Sequence, residues 1–100
     1  MNKEKLRMAS VKVILPSIIA RATGGQREVQ ISASTLGEAL NKIVEKYGEA
    51  LKEKVFDSEN TPQPLLNFYV NGKNARFTGF LETALNDGDQ VTILPSVSGG

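Results

Sequence analysis

Cysteine, histidine and tryptophan are all missing from this 100-residue chain. Without Cys and His the usual zinc ligands, thiol nucleophiles and imidazole bases are gone. The lack of cysteine also fits a reducing compartment. Charge of one sign is missing too: 12 Lys and Arg oppose 11 Asp and Glu, for a net charge of +1. Such a chain has no strong field to draw nucleic acid or an anionic membrane, and neither is expected as a partner. No apolar run approaches the roughly 20 residues of a membrane span. Val11 to Ala20 is apolar but is interrupted by Pro16, and the N-terminal MNKEKLRM is not followed by a signal-type stretch. These absences point to a soluble, cytoplasmic domain. What is present suffices for one core: 40% of the residues are hydrophobic, and the length fits one domain and not two.

Residues 1–8, with Lys3, Lys5 and Arg7, read as a flexible, solvated N-terminal extension. Met8 to Leu15 is rich in β-branched residues, and Val11, Val13 and Leu15 share a face. Pro16 lacks a donor and closes that strand. Ser17 to Thr23 reads as a longer connection, Gly24-Gly25 as a turn, and Arg27 to Ser32 as the returning strand, with Val29 and Ile31 on one face. Thr35-Leu-Gly-Glu38 is a capping-box pattern, with Ser34 as an alternative cap. Leu36, Ala39, Leu40, Ile43, Val44 and Tyr47 then form one apolar helical stripe, and Gly48 is placed to end it. Glu49 to Phe56 adds a further helical turn or two, and 58–64 is a loop. Leu65 to Val70 is a strand, Asn71-Gly72 a hairpin turn that needs positive φ at both positions, and Lys73 to Phe77 its return. Phe80 to Leu85 is one helical turn, 86–89 a turn, and Gln90 to Leu94 the last strand.

One apolar helix face must cover one apolar sheet face, so the fold class is α+β: a mixed sheet of four to five strands with one main helix on one side. Ile14-Leu15-Pro16-Ser17 recurs as Ile93-Leu94-Pro95-Ser96. The repeat places the first and last strands side by side and parallel, both ended by proline at the same edge. The domain spans 9–94, and 95–100 is a flexible tail.

Most candidate sites have simpler explanations. Gly24-Gly25 lacks the full phosphate-loop pattern and is a turn. Asp57, Glu59, Asp87 and Asp89 lie in polar turns, where Asp caps backbone groups. Phe77 and Phe80 flank Thr78-Gly79; at least one belongs to the core, and an exposed one would meet a partner. The end of the chain is different. Two consecutive glycines arise by chance about 0.5% of the time at a chosen point. Here they follow a core strand and Pro95. Residues 95–100 reach about 20 Å when extended, and Pro95, Ser96, Val97, Ser98, Gly99 and Gly100 include no charged or bulky side chain. Lacking Cβ atoms, Gly99 and Gly100 can thread a slot that excludes other residues. The reacting group would be the α-carboxylate of Gly100.

With LPSVSGG at 94–100 the chain resembles the ThiS/MoaD sulfur-carrier family of ubiquitin-like β-grasp proteins. PSIIARATGGQREV (16–29), TLGEAL (35–40), FYVNGKNARF (68–77) and LNDGDQVTILPSVSGG (85–100) are similar to the family's first hairpin, helix start, closing hairpin and final strand. The look leans toward the cysteine-type carriers and the archaeal small modifiers. The resemblance implies a protein co-substrate and not an enzyme, with no catalytic residue, metal or cofactor of its own. A ubiquitin-activating-type adenylyltransferase, holding ATP and magnesium, would join AMP to the Gly100 carboxylate. A sulfur donor protein would then displace AMP to leave a thiocarboxylate, and a downstream biosynthetic enzyme would take the sulfur. Having no thiol, the chain cannot carry sulfur as a persulfide or thioester. The apolar face near Phe77, Phe80 and the last strand would dock the partner. One alternative is a ubiquitin-like modifier joined through Gly100 to lysines of target proteins. Another is a scaffold subunit with an idle Gly-Gly end.

Overall fold

The computed structural model describes residues 8–96. In chain order the elements are β1 (Ala9–Ile14), α1 (Ser17–Ala20), a 3-10 turn (Arg21–Thr23), β2 (Glu28–Ala33), α2 (Leu36–Tyr47), α3 (Glu49–Val55), β3 (Leu66–Val70), β4 (Lys73–Asn74), 3-10 turns at Ala75–Phe77 and Phe80–Glu82, and β5 (Gln90–Pro95). They build one mixed sheet in the order β2-β1-β5-β3-β4. β1 and β5 run parallel in its middle, and the other neighbours are antiparallel.

Alternation along the strands decides which face is covered. Val11, Val13, Val29, Leu66, Phe68, Val91 and Ile93 are buried, and they join Leu36, Ala39, Leu40 and Ile43 of α2 in one core. α3 adds Leu51 and Val55 to the same core. The cover is therefore a helix pair broken at Gly48, whose φ of 87° is open to glycine and unfavourable to residues with a Cβ.

The expected cap of α2 forms with one change. The Thr35 hydroxyl accepts the Glu38 backbone N–H at 3.2 Å. The Glu38 carboxylate reaches one residue further back than a capping box requires, and accepts both the backbone N–H and the hydroxyl of Ser34 at 2.7 Å. Both Ser34 side chain and backbone thus serve the cap. The Ser34 backbone N–H, then its hydroxyl, and more weakly Lys42 favour the ionised Glu38 and hold its pKa below the usual glutamate value, against a small opposing effect of burial.

Four expectations need correction. The segment after Pro16 is not a plain connection: Ser17–Ala20 is a helical turn continued by the 3-10 turn, and it buries Ile19 and Ala20. Two consecutive β-branched isoleucines hide the helix, and core burial of Ile19 overrides that propensity. The Asn71-Gly72 turn has φ of 52° and 87°, as its type demands. The strand that returns from it stops at Asn74, however, because the Asn74 side chain accepts the Arg76 N–H and starts a 3-10 turn. The Ile-Leu-Pro-Ser repeat makes β1 and β5 parallel neighbours as expected, but its prolines do not end the two strands alike, since β1 stops at Ile14 and β5 runs through Pro95. β1 sets Val13 against Val91 and Ile14 against Thr92, one residue off the sequence repeat. A slip of one would put Ile14 and Ile93 on the same face, whereas Ile93 must face the core. Finally, Pro95 belongs to β5 and not to the tail, since it pairs with Leu66.

Candidate functional site: the exit of the last strand

β5 carries the chain out of the core, so its end decides where residues 97–100 begin. Val91 and Ile93 are fully buried between the helices and the sheet. Beyond them, Leu66 pairs with Pro95, and the Ser96 N–H donates to the Leu65 carbonyl. Successive N–H groups of a strand alternate between its two neighbours. The nitrogen of Pro95 therefore faces the β1 side, where β1 has already ended at Ile14. Proline removes a donor that would have had no partner there. Ser96 is anchored to a rigid sheet, and Gly100 lies four residues further along the chain. Val97, Ser98, Gly99 and Gly100 lie outside the described residues.

The two aromatic candidates separate. Phe77, in the turn that follows β4, is 87% exposed. Phe80 packs inward, its ring edge-on to Phe68 at 5.9 Å, with the Arg76 guanidinium 5.7 Å above it. Phe80 has a φ of 53°, a left-handed conformation that costs a bulky residue about 1–2 kcal/mol. Its packing against Phe68 and the hydroxyl pair Thr78–Thr83 at 2.9 Å hold it there. Neither ring is among the residues that line the groove beside Pro95 and Ser96.

Other side chains surround the exit. Four large hydrophobic residues are exposed among the described residues: Leu65 at 67%, Ile18 at 55%, Leu94 at 45%, and Phe77. Ile18 and Leu65 line a shallow groove with Leu66, Pro95 and Ser96. Leu94 stands on β5 two residues before Ser96. Sequence reasoning did not single out these three, although a signal existed. Each is half of an apolar doublet: Ile18-Ile19, Leu65-Leu66 and Ile93-Leu94. When one member of a doublet enters the core, its neighbour in a strand must face away. The doublets were legible, and their convergence on one point was not.

Asp57 and Asp89 cap their own turns as expected, Asp87 instead reaches across to β1, and the Glu59 carboxylate caps nothing among the described residues. Asp57 accepts the N–H groups of Glu59 and Thr61, Asp87 accepts that of Ser10, and Asp89 accepts that of Asn86. Among the described residues no group of three or more Asp and Glu side chains is placed to hold a metal ion, and no helix is long and apolar enough to cross a membrane.

Comparison with known proteins adds to this geometry. The sequence model of the ThiS family matches residues 13–100, a span that includes Gly99 and Gly100. The sulfur carrier protein CysO of Mycobacterium tuberculosis is 41% identical over 93 residues, covering 91% of this chain and 99% of that protein. The solution structure of small archaeal modifier protein 1 from Methanosarcina acetivorans superposes with a TM-score of 0.82 at 35% identity, covering 93% of this chain and 98% of that one. A chain in the crystal structure of an Amycolatopsis orientalis BexX/CysO complex superposes with a TM-score of 0.78 at 33% identity, covering 90% and 99%.

Proposed function

The chain belongs to the ThiS family, and on that premise we propose that it is a sulfur carrier whose transferable group sits on the carbonyl carbon of Gly100. The observation that carries the reading is the exit itself. The last strand ends at Pro95, the Ser96 N–H is held by the Leu65 carbonyl, and a short uncharged lead with two glycines follows. A free carboxylate is a poor acyl donor. Attack of a Gly100 carboxylate oxygen on the α-phosphorus of ATP releases pyrophosphate and leaves an acyl adenylate. The terminal sulfur of a persulfide on a donor protein then attacks the carbonyl carbon, and AMP departs with one carboxylate oxygen to leave an acyl disulfide; a second thiol of the donor attacks the donor's own sulfur, so that the donor leaves as a disulfide and Gly100 keeps the outer sulfur as a thiocarboxylate. ATP and magnesium belong to a ubiquitin-activating-type adenylyltransferase, and the sulfur passes to a downstream biosynthetic enzyme. This chain supplies the anchored lead and the carboxylate and takes no catalytic role. Its relatives named as sulfur carriers support that division of labour.

Intact mass spectrometry after co-expression with the cognate activating enzyme tests the proposal. The expected result is an oxygen-for-sulfur mass change located in the C-terminal peptide. Removal of Gly99 and Gly100 should abolish both that change and ATP–pyrophosphate exchange; exchange that persists without them would overturn the reading. A second reading, a modifier joined through Gly100 to target lysines, is favoured by the likeness to archaeal small modifier proteins. It predicts ladders of heavier conjugates in extracts of the native host.

A further inference from the structure

We propose that Asn71 is a site of self-modification, an asparagine whose side chain cyclises onto the Gly72 nitrogen with loss of ammonia, and that Asp89 is the latch that holds the reaction back. Of the asparagines in this chain only Asn71 precedes a glycine. A glycine nitrogen has no adjoining Cβ in the way of attack, and both residues are exposed to water. The reaction needs only base and water. The deprotonated Gly72 nitrogen attacks the Asn71 amide carbon, the new bond closes a five-membered imide, and the side-chain nitrogen leaves as ammonia. Water then opens the imide. Cleavage at the former side-chain carbonyl gives aspartate, and cleavage at the backbone carbonyl gives an isoaspartyl linkage.

The folded geometry opposes the first step in two ways. The Asn71 Oδ1 accepts the Gln90 N–H at 2.9 Å, and its Nδ2 donates to the Asp89 Oδ1 at 2.8 Å. The partners fix this assignment, since a carboxylate only accepts and a backbone N–H only donates. Both polar atoms of the amide are tied to the start of β5, so the carbon between them is held away from Gly72. The backbone opposes attack as well. Asn71 has a φ of 52°, and in the left-handed region ψ is about +47°. The following nitrogen then lies across the Cα–C bond from Cβ, where the ring cannot close. Asp89 is itself fastened: its Oδ2 accepts the Asn86 N–H at 2.8 Å, and its carbonyl accepts the Lys12 N–H at 3.1 Å. Reaction therefore waits for a local opening, and the Asp89 contact sets how often that opening occurs.

The product cannot return to this geometry. Aspartate at position 71 has no donor for Asp89 and sets a second carboxylate where the amide now makes its 2.8 Å contact; like charges so placed repel. The isoaspartyl form adds a methylene to the backbone of the hairpin turn between Val70 and Lys73, and turn length sets register. Each event loosens the junction of β3 and β5 irreversibly.

Peptide mapping by mass spectrometry of protein aged at mildly alkaline pH tests the proposal. The mass gain of an NH2-to-OH exchange should appear first at Asn71, as aspartyl and isoaspartyl peptides. Asp89→Ala should raise its rate about two- to tenfold, the change in open population that one exposed hydrogen bond sets. Asp57→Ala strips a similar cap from the loop after α3 and should leave the rate unchanged. Asn71→Asp should quicken hydrogen exchange at Gln90. Adding Asp89→Asn restores one donor and one acceptor across the contact and should recover that protection. Equal rates in Asp89→Ala and the unchanged protein would overturn the latch, and so would an Asp57→Ala rate as high as that of Asp89→Ala, which would mean that global opening exposes the site. First modification at another asparagine would overturn the site itself. No recovery in the paired variant would overturn the account of what the product breaks.

Discussion

At its first residue β5 is fastened by side chains, and at its last by backbone pairing alone. The Gln90 N–H donates to the Asn71 side chain, the Asn71 amide donates to Asp89 at 2.8 Å, and Asp89 also accepts the Asn86 N–H. Next to it, the Ser10 N–H donates to Asp87. The turn after β3, the turn before β5 and the start of β1 are thus stitched into one polar knot. At the other end, no side-chain hydrogen bond among the described residues reaches Leu94, Pro95 or Ser96, and the nearby side chains are exposed aliphatics. The difference separates two tasks. Charge-assisted hydrogen bonds to backbone groups fix geometry within the protein. Exposed apolar side chains fix nothing within it and gain only when another surface covers them.

The comparison can be broken at its base, at one end, or by analogy. Phe68 lies in the middle of β3, buried against Phe80 and shared by both ends. Phe68→Ala should cost about 3–5 kcal/mol in urea unfolding. Because one core supports the whole sheet, both ends should then lose amide protection together; loss at one end alone would show that they are separate cooperative units. Asp89→Ala should cost about 0.5–1.5 kcal/mol, because it strips acceptors from the Asn86 and Asn71 donors at an exposed turn where water replaces them in part. Hydrogen exchange at Asn86 and Gln90 should quicken, while the half-saturation in pyrophosphate exchange stays unchanged. A raised half-saturation would mean that the knot itself takes part in meeting the partner.

The smallest effect belongs to the same kind of fastening at the α2 cap. The Ser34 groups lower the pKa of Glu38 in the folded chain. A carboxylate depressed in this way contributes stability above its unfolded value, and that stability is lost as pH falls through the folded value. Thermal melts should therefore show a loss on acidification below the ordinary glutamate value of 4.5. Glu38→Gln should remove part of that loss and lower stability at pH 7 by a few tenths to about 1 kcal/mol, since the group is partly exposed to solvent. An identical pH profile in the variant would show that the Glu38 cap does not set the acid sensitivity.

Much of this fold was legible in the residues. Thr35 with Glu38 marked the start of α2, Gly48 its end, Asn71-Gly72 the hairpin, and the alternation of β1, β3 and β5 the buried face. These signals are local, set by φ preference, capping and side-chain period. The repeated Ile-Leu-Pro-Ser also identified β1 and β5 as parallel neighbours but left their register open, because register follows from which residues the whole core takes in. The same limit hid α1, whose helical turn exists to bury Ile19, and it mixed Phe77 with Phe80, which only Phe68 separates.

By itself the sequence determined the order of the five strands and of α2 and α3, the main turns, the α+β class, and the glycine-ended lead as the candidate for chemistry, because each depends on residues near one another in the chain. The tertiary structure alone decided the register, the anchoring of Ser96 and the meeting of Ile18, Leu65 and Leu94. Those depend on contacts between residues far apart in sequence, where no local pattern can state which half of an apolar pair the core will take and which it will leave outside.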